Sequence, residues 1–314
     1  MVRTRVFFGT LLSIAFVLVV VTDAWLTQQT VPDWPWLAGS VFGVGVDFLL
    51  QGGLLTGVIA LLVGWGAAEM GRLCGAAGHR PAIGWSVFAS VAFMIIPWLS
   101  ITPAMGDRSP LAEWQHTSQW AAVCLVGTVV GILLRGQTTG AISSIAVTTW
   151  IIFYLGFLGS FVIRLRMNIG GPIGAWFVLY HVAVTKFTDV GAYFTGISLG
   201  RHPLAPSISP NKTMEGFIGG LVWGVGVAVL LAWLGGIIGP SDRLSLSSGR
   251  AVVFGLLVGL IGQVGDLVES LVKRDAHIKD SGALVPTFGG VLDVIDSPLL
   301  TAPAAWWLLT RWLM

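Results

Sequence analysis

Long hydrophobic stretches alternate with short polar segments along most of the chain. A helix needs about 20 mainly apolar residues to cross the hydrocarbon core of a bilayer. The pattern therefore predicts about nine membrane-spanning helices, with eight or ten as alternatives because the Gly-rich residues 38–57 could hold a re-entrant segment. We place the nine helices at residues 6–26, 47–70, 82–101, 118–135, 141–163, 172–197, 215–238, 250–272 and 293–313.

The composition agrees with a membrane protein and excludes an ordinary soluble domain. Of the 314 residues, 55% are hydrophobic and only 10% are charged, and the mean hydropathy is +0.84. Such values are typical of chains that expose apolar surface to lipid. We therefore expect an all-α, polytopic integral membrane helical bundle. Residues 1–165 would form an N-terminal scaffold, and residues 166–314 would form the functional region because the polar motifs lie there.

The charged residues indicate an orientation and exclude one class of partner. The net charge is only +2 and no extended basic stripe is present, so nucleic acid is not an expected partner. Lys and Arg prefer the cytoplasmic ends of spanning helices. With Arg3 and Arg5 in the cytoplasm before an uncleaved first span, alternating spans place the polar motifs in the cytoplasm too. We expect the bacterial inner membrane, with Arg164 and Arg166 in a loop on its far side.

Another polar segment, residues 102–117, contains Asp107, Glu113 and His116. The spacing of these three side chains fits no compact pattern of metal ligands. The predicted orientation also places the segment on the side of the membrane opposite the motifs. We therefore expect a solvated connector between two spans.

Charged residues also interrupt the predicted span at residues 172–197. Lys186 and Asp189 are three residues apart, and Asp189 and Tyr193 are four apart, so all three share one face of a helix. Ionisable residues at membrane depth usually face a protein-lined cavity and mark function. We expect a polar wall of a substrate cavity, with an ion pair that locks two helices together as the alternative.

The segment after this span predicts an anion-binding site. Prolines break the helix, and Ser209 or Thr213 can cap the next one, with Lys212 just before its first turn. A helix N-terminus offers free backbone N–H groups to an anion. A hydroxyl group and a lysine beside that terminus would add to the attraction.

The charged residues concentrate near the end of the sequence. Residues 266–296 hold six carboxylates and three Lys or Arg side chains beside predicted spans. This mixture suits a site in which a cation holds phosphates while basic groups neutralise the remaining charge. We select Asp266 and Asp293 as Mg²⁺ ligands, because a returning loop can bring two helix ends together. Asp296 follows Asp293 by one helical turn and would support it, and Glu269 shares a helical face with Asp266.

Two ordered motifs carry a family resemblance. The first reads Asp189-x-x-Ala192-Tyr193-x-x-Gly196, followed by Ser209-Pro210-x-Lys212-Thr213-x-Glu215-Gly216. The second reads Ser270-x-x-Lys273-Arg274, Lys279-Asp280-Ser281-Gly282, Pro286, Gly289-Gly290 and Asp293-x-x-Asp296. Together they resemble the motifs of the phosphatidate cytidylyltransferases, the CDP-diacylglycerol synthases.

The resemblance implies transfer of the cytidylyl group of CTP to phosphatidate, giving CDP-diacylglycerol and pyrophosphate with Mg²⁺ as cofactor. The lipid phosphate is itself a nucleophile, so positioning and charge stabilisation would carry the reaction. The predicted catalytic residues are Asp266, Lys273, Arg274, Lys279, Asp280, Asp293 and Asp296. The metal ligands among them are Asp266, Asp293 and Asp296. The predicted substrate-binding residues are Asp189, Tyr193, Ser209, Lys212, Thr213, Glu215, Ser270, Gly289 and Gly290.

Three positions depart from the family pattern. Phe288 and Val294 stand where a His and an Arg are usual, and Thr287 stands where Gly is common. We therefore expect a functional variant with a shifted lipid preference. The alternatives are a CTP-dependent enzyme that acts on an isoprenoid lipid phosphate and an ion-coupled transporter that uses intramembrane acids. The expected partners are CTP, phosphatidate and membrane lipid, while a monovalent cation such as K⁺ and a homodimer stay open.

Overall fold

The computed structural model describes residues 2–28, 50–100, 110–136, 138–238, 244–278, 281–282 and 289–313. Within these ranges the protein is a bundle of nine helices, the fifth of which continues through a π-helical turn at Ile152–Phe157. The helices are α1 Val2–Leu26, α2 Gly53–Ala76, α3 Ile83–Leu99, α4 Pro110–Leu134, α5 Ala141–Ile169, α6 Gly171–Leu199, α7 Met214–Ile238, α8 Ser248–Asp275 and α9 Leu292–Leu313.

Each of the nine predicted spans coincides with one helix. Of the helices in the described ranges, six are long and apolar enough to cross a membrane, namely all except α3, α6 and α9. Helix α3 has only 17 residues, α6 carries Lys186 and Asp189 near its centre, and α9 contains two prolines. The predicted fold class, an all-α polytopic integral membrane protein, is confirmed. The re-entrant segment considered for residues 38–57 falls mostly on residues 38–49, which lie outside the described ranges.

A two-stranded hairpin connects α6 to α7. Strand β1, Pro203–Ala205, pairs antiparallel with strand β2, Ser209–Thr213. Prolines in this segment remove backbone donors and prevent a continuous helix. At the end of α8, Arg274 donates a hydrogen bond from Nε to the carbonyl oxygen of Ile208 at 3.2 Å. The hairpin therefore lies against the end of α8.

Helices α6 and α7 approach each other at glycines. A Cβ atom at Gly216 would lie 3.2 Å from Cα of Gly196 and 2.8 Å from the carbonyl oxygen of Ala192. Small residues of this kind let membrane helices pack with their backbones in contact. This close contact fixes where the hairpin between the two helices emerges.

Two arginines near the end of α5 correct a sequence prediction. We expected Arg164 and Arg166 in a polar loop after residue 163, but α5 continues to Ile169 and each arginine is only 1% exposed. Arg166 donates from Nε to Oδ2 of Asp23 at 2.8 Å, and Arg164 pairs with Glu113. A buried charge is costly unless it is paired. The acids therefore allow both arginines to lie inside the bundle and tie α1 and α4 to α5.

The solvated connector expected for residues 102–117 is also wrong where the structure describes it. Glu113 lies in α4 and is 8% exposed. Its carboxylate accepts hydrogen bonds from Arg164 and from Nδ2 of Asn168 at 3.3 Å. His116 is half-buried in the same helix, while Asp107 lies outside the described residues. Glu113 is thus part of the core of the bundle.

Candidate active site

Three carboxylates converge where α8 ends and α9 begins. Asp266 and Glu269 come from α8 and Asp296 comes from α9, and one oxygen of each lies within 4.8 Å of the others. Glu269 and Asp296 are buried, whereas Asp266 is partly exposed. The spacing of three between Asp266 and Glu269 places them on one face of α8. We refer to these three residues as the acidic cluster.

Lys273 connects the acidic cluster to Asp293. Its Nζ lies 3.1 Å from Oε2 of Glu269 and 2.7 Å from Oδ1 of Asp293. The other oxygen of Asp293, Oδ2, accepts hydrogen bonds from the Ser281 hydroxyl at 2.7 Å and from the backbone N–H of Gly290 at 2.7 Å. Both oxygens of Asp293 are therefore used by protein donors, and its role as a metal ligand stays a prediction.

The hairpin reaches the acidic cluster through Lys212. Its Nζ lies 2.8 Å from Oδ2 of Asp266, and both side chains are partly exposed. Lys212 belongs to the first motif and Asp266 lies at the start of the charged window near the end of the chain. The two regions therefore share one site, although α7 and most of α8 separate them in sequence.

The charged pair of α6 is formed within that helix. Lys186 lies 3.5 Å from Oδ2 of Asp189, three residues further on, and both side chains are partly buried. The pair therefore does not itself join two helices. Tyr193 is 40% exposed, and its ring packs edge-on against Phe194 with centroids 5.6 Å apart. A role for these residues in lining a substrate cavity stays a prediction.

Two residues of the first motif shape the junction between hairpin and helix. The Thr213 hydroxyl accepts a hydrogen bond from the backbone N–H of Gly216 at 3.1 Å, so Thr213 caps α7 as one of the two predicted candidates. Glu215 accepts hydrogen bonds from the backbone N–H groups of Arg201 and His202 at 3.0 and 3.2 Å. Both residues hold backbone in this structure, and their predicted contacts with substrate stay predictions.

Ser209 and Ser270 lie on the two elements that carry Lys212 and Asp266, respectively. Ser209 is the first residue of β2 and pairs with Ala205 across the hairpin. Ser270 is half-buried on α8, four residues after Asp266, and therefore shares its helical face. Arg274 is exposed at the end of the same helix and is close enough to the hairpin to bond its backbone.

The paired glycines close the segment before α9. Gly289 has a φ of 97°, a backbone conformation that favours glycine. A Cβ atom at Gly290 would lie 2.3 Å from the Ser281 hydroxyl oxygen. Val294, one of the departures from the family pattern, is half-buried in the first turn of α9. Lys279, Asp280, Thr287 and Phe288 lie outside the described residues, so that the roles considered for them stay predictions.

Comparison with known sequences decides the family. The sequence profile of the cytidylyltransferase family matches residues 34–312. The chain belongs to the cytidylyltransferase family. It is 32% identical over 252 residues to the phosphatidate cytidylyltransferase of Chlamydia pneumoniae, with 77% of each chain covered. It is 30% identical over 299 residues to that of Synechocystis sp., with 86% of this chain and 94% of the relative covered.

A further relative is the phosphatidate cytidylyltransferase of Bacillus subtilis, which is 37% identical over 173 residues, or 55% of this chain and 61% of the relative. The family profile spans both motifs and much of the part that we expected to serve only as scaffold. The family predicted from the motifs is therefore confirmed.

Glu69 of this cytidylyltransferase family member is not among the residues predicted from the sequence. The residue lies in α2 and is 1% exposed. Its Oε2 accepts a hydrogen bond from the backbone N–H of Leu292, the first residue of α9, at 2.9 Å. The signal was present, because an acid inside a predicted span at residues 47–70 indicates a functional site by default.

The candidate site thus combines two kinds of group at one end of the bundle. The acidic cluster supplies oxygen atoms, which are the ligands that Mg²⁺ prefers. Lys212 and Lys273 supply ammonium groups, each a compact positive charge that suits a phosphate. Such an arrangement can hold a divalent cation and a phosphorylated substrate side by side.

Proposed function

We propose that this protein transfers the cytidylyl group of CTP to phosphatidate and releases pyrophosphate. The relatives named phosphatidate cytidylyltransferase support the proposal, since two of them are covered over 77% and 94% of their length. The observation that carries it is the acidic cluster, whose oxygens lie within 4.8 Å of one another beside two lysines. A lipid substrate also fits an integral membrane protein.

The acidic cluster fits Mg²⁺ as the cofactor. Its three donors are all carboxylate oxygens, and one of them, Asp266, is exposed enough for a nucleotide to reach. Asp266, Glu269 and Asp296 would hold the ion, with Asp293 as a further predicted ligand. When bound, Mg²⁺ would neutralise charge on the phosphates as pyrophosphate leaves. The involvement of a monovalent cation and of a homodimer stays a prediction.

The lysines would bind and orient the phosphates. Lys212 would leave Asp266 and bind an oxygen of the triphosphate, while Lys273 stays oriented by Glu269 and Asp293. An oxygen of the phosphatidate phosphate forms a bond to the α-phosphorus of CTP, and the bond from that phosphorus to the pyrophosphate oxygen breaks. The substrate phosphate supplies the nucleophile, so the residues act by positioning and charge stabilisation.

The location of the site supports access from water and lipid together. Described residues of both motifs lie at one end of the bundle, where Lys212 and Asp266 meet. We place this end in the cytoplasm, where CTP is found, because the loops on this side carry more Lys and Arg. The bacterial relatives favour the inner membrane.

The test uses CTP radiolabelled at its α-phosphate and the purified protein in vesicles that contain phosphatidate. The measured quantity is the radiolabel transferred to lipid. We expect a labelled lipid and equal amounts of pyrophosphate with Mg²⁺, and neither product with excess chelator. An isoprenoid phosphate added in place of phosphatidate tests the closest alternative. If only the isoprenoid phosphate becomes labelled, it replaces phosphatidate as the proposed substrate. If neither lipid becomes labelled, the result would contradict the proposal and favour the transporter.

A further inference from the structure

A buried acid from the first half of the chain contacts Ser281, which lies between α8 and α9, and the first residue of α9. Glu69 Oε2 accepts a hydrogen bond from the backbone N–H of Leu292 at 2.9 Å and lies 3.3 Å from the Ser281 hydroxyl oxygen. Its other oxygen, Oε1, accepts a hydrogen bond from Nε1 of Trp65 at 3.1 Å. Both carboxylate oxygens are therefore engaged, although the side chain is only 1% exposed.

The backbone around Glu69 is built to receive the carboxylate. A Cβ atom at Gly290 would lie 2.3 Å from Oε2, and one at Gly282 would lie 2.7 Å from Oε1. One helical turn before Glu69, a Cβ atom at Gly66 would lie 2.9 Å from Cδ1 of Ile295. Side chains larger than hydrogen at these positions would force the groups apart. Glycine on both sides thus allows α2 to contact the start of α9.

The energetic setting argues against an incidental role. Removing a carboxylate from water costs several kcal/mol unless hydrogen bonds replace the lost solvation. The described partners of Glu69 are neutral donors, and one of them is the N-terminal N–H of α9, where a negative charge is favourable. A leucine or alanine in α2 would avoid the cost. The acid therefore has a specific use at this place.

A chain of contacts connects Glu69 to the acidic cluster. The Ser281 hydroxyl lies 2.7 Å from Oδ2 of Asp293, so that Glu69 and Asp293 share it. Asp293 in turn holds Lys273, which lies 3.1 Å from Glu269 of the cluster. The hydroxyl has a single hydrogen and can donate it to one carboxylate at a time. The position of Ser281 therefore depends on both acids.

We propose that Glu69 is a positioning residue that fixes the start of α9 against α8. It acts through Leu292 and Ser281, and so sets where Asp293 and Asp296 stand relative to Lys273. This inference rests on the proposed function, because the reaction it serves is the transfer at the acidic cluster. Small displacements of positioned groups can cost about 100-fold in rate.

The first test replaces Glu69 by Gln. Glutamine keeps the shape but offers one acceptor oxygen in place of two, so either Leu292 or Trp65 loses its acceptor. We expect kcat to fall about 10- to 100-fold, while KM for phosphatidate stays within about twofold of the wild-type value. Glu69→Ala, which removes every contact, should be slower still. The wild-type protein is assayed first, and if it forms no labelled lipid the proposed function fails, not this inference.

A matched control separates positioning from loss of folded protein. Glu113→Gln alters another buried acid, which pairs with Arg164 away from the acidic cluster. We expect its kcat per folded molecule to match the wild type, with folding followed by thermal unfolding and gel filtration in detergent. Wild-type kcat in folded Glu69→Gln would overturn the proposal. Equal loss of kcat in both folded variants would overturn it as well.

A second variant, alone and combined with Glu69→Gln, tests the step from Glu69 to Ser281. Ser281→Ala removes the shared hydroxyl, while the backbone N–H of residue 281 still donates to Asp293, as it does in the wild type at 3.2 Å. If Glu69 acts through Ser281, the double variant should be about as slow as the slower single variant, because the two changes break one pathway. Independent, multiplied effects on kcat would overturn the proposed pathway.

Discussion

Lys212 places its ammonium nitrogen 2.8 Å from Oδ2 of Asp266, so that the hairpin and α8 meet at one charge pair. Both side chains are partly exposed, and pairs of this kind contribute only about 0–1 kcal/mol to stability. Little free energy is therefore needed to separate the pair. Separation of the pair would leave Asp266 available to a cation and Lys212 to a phosphate, as the proposed function requires.

Replacing Lys212 by Met should weaken the binding of CTP. Methionine keeps most of the apolar stem but removes the charge, and hydrogen bonds to charged groups contribute about 1.5–3 kcal/mol. We expect KM for CTP to rise about 10-fold or more. The Mg²⁺ concentration for half-maximal rate should not rise, because Asp266 loses a competing ammonium group. Initial rates over a grid of CTP and Mg²⁺ concentrations measure both quantities.

Lys212→Arg serves as the control for that experiment, since it keeps the positive charge at the same place. Its KM for CTP should stay between those of the wild type and Lys212→Met. An unchanged KM for CTP in Lys212→Met would show that the lysine serves only to neutralise Asp266.

Replacing Asp293 by Asn should abolish most turnover without unfolding the protein. Asparagine can still accept a hydrogen bond from Gly290, but it loses the charge that holds Lys273 at 2.7 Å. We expect kcat to fall about 100- to 1,000-fold, the loss typical of removing one preorganised electrostatic contact. The measurement is label transfer from CTP, with thermal unfolding as the check on folding. Normal turnover in this variant would remove Asp293 from the site.

Binding of Mn²⁺ to Asp293→Asn, measured by electron paramagnetic resonance, distinguishes a role of Asp293 as a metal ligand from a role in orienting Lys273. Affinity near that of the wild type would assign Asp293 to the orientation of Lys273. A loss as large as that in Asp266→Asn would make it a metal ligand. Glu269→Gln provides the comparison within the acidic cluster, since its carboxylate also contacts Lys273.

The sequence allowed prediction of the spans and of the two motifs because both depend on local information. Apolar length decides where a helix can cross the membrane, so each predicted stretch matches a helix. The resemblance brought Lys212 and Asp266 to one site, and the structure places them 2.8 Å apart. The pairing of the charges inside the bundle could not be predicted in this way, because their partners lie far away in sequence.

Arg166 and Glu69 show why. Rules for loop charges treat each Lys or Arg as solvated, whereas Arg166 is buried because Asp23, in α1, neutralises it. Glu69 is an acid in an apolar span, but only tertiary structure shows that its partners include Leu292. Local periodicity contains no information about such contacts.

Replacing Asp23 by Asn should destabilise the protein without changing its chemistry. The variant leaves the Arg166 guanidinium buried without its charged partner, and breaking a buried pair in this way costs about 3–5 kcal/mol. Asp23 also accepts a hydrogen bond from the backbone N–H of Leu55 at 3.1 Å, which ties α1 to α2. Unfolding in detergent measures the loss, and kcat per folded molecule should be unchanged.

Arg250→Gln is the matched surface change for this prediction. Arg250 is exposed and donates to the carbonyl oxygen of Trp312 at 3.0 Å. Surface substitutions of this kind usually change stability by less than about 0.5 kcal/mol. Equal destabilisation by the two changes would contradict a special role for the buried pair.

Replacing Gly290 by Ala should slow the enzyme by displacing Glu69. The added methyl group would lie 2.3 Å from Oε2 of Glu69 and 2.3 Å from the Ser281 hydroxyl oxygen, so both must move. We expect kcat to fall about 10-fold or more, as for other small displacements of positioned groups. Gly249→Ala is the control, because a Cβ atom there meets nothing within 4 Å.

Rescue by a second change tests the cause of that loss. Glu69→Asp shortens the side chain by one methylene and makes room for the methyl group at residue 290. If the clash with the carboxylate causes the loss, the Gly290→Ala, Glu69→Asp double variant should be faster than Gly290→Ala alone, even though Glu69→Asp by itself is slower than the wild type. Such a sign change shows that the two positions are energetically coupled, as residues in contact are. A double variant slower than both single variants would show that Gly290→Ala acts through another contact, such as its hydrogen bond to Asp293.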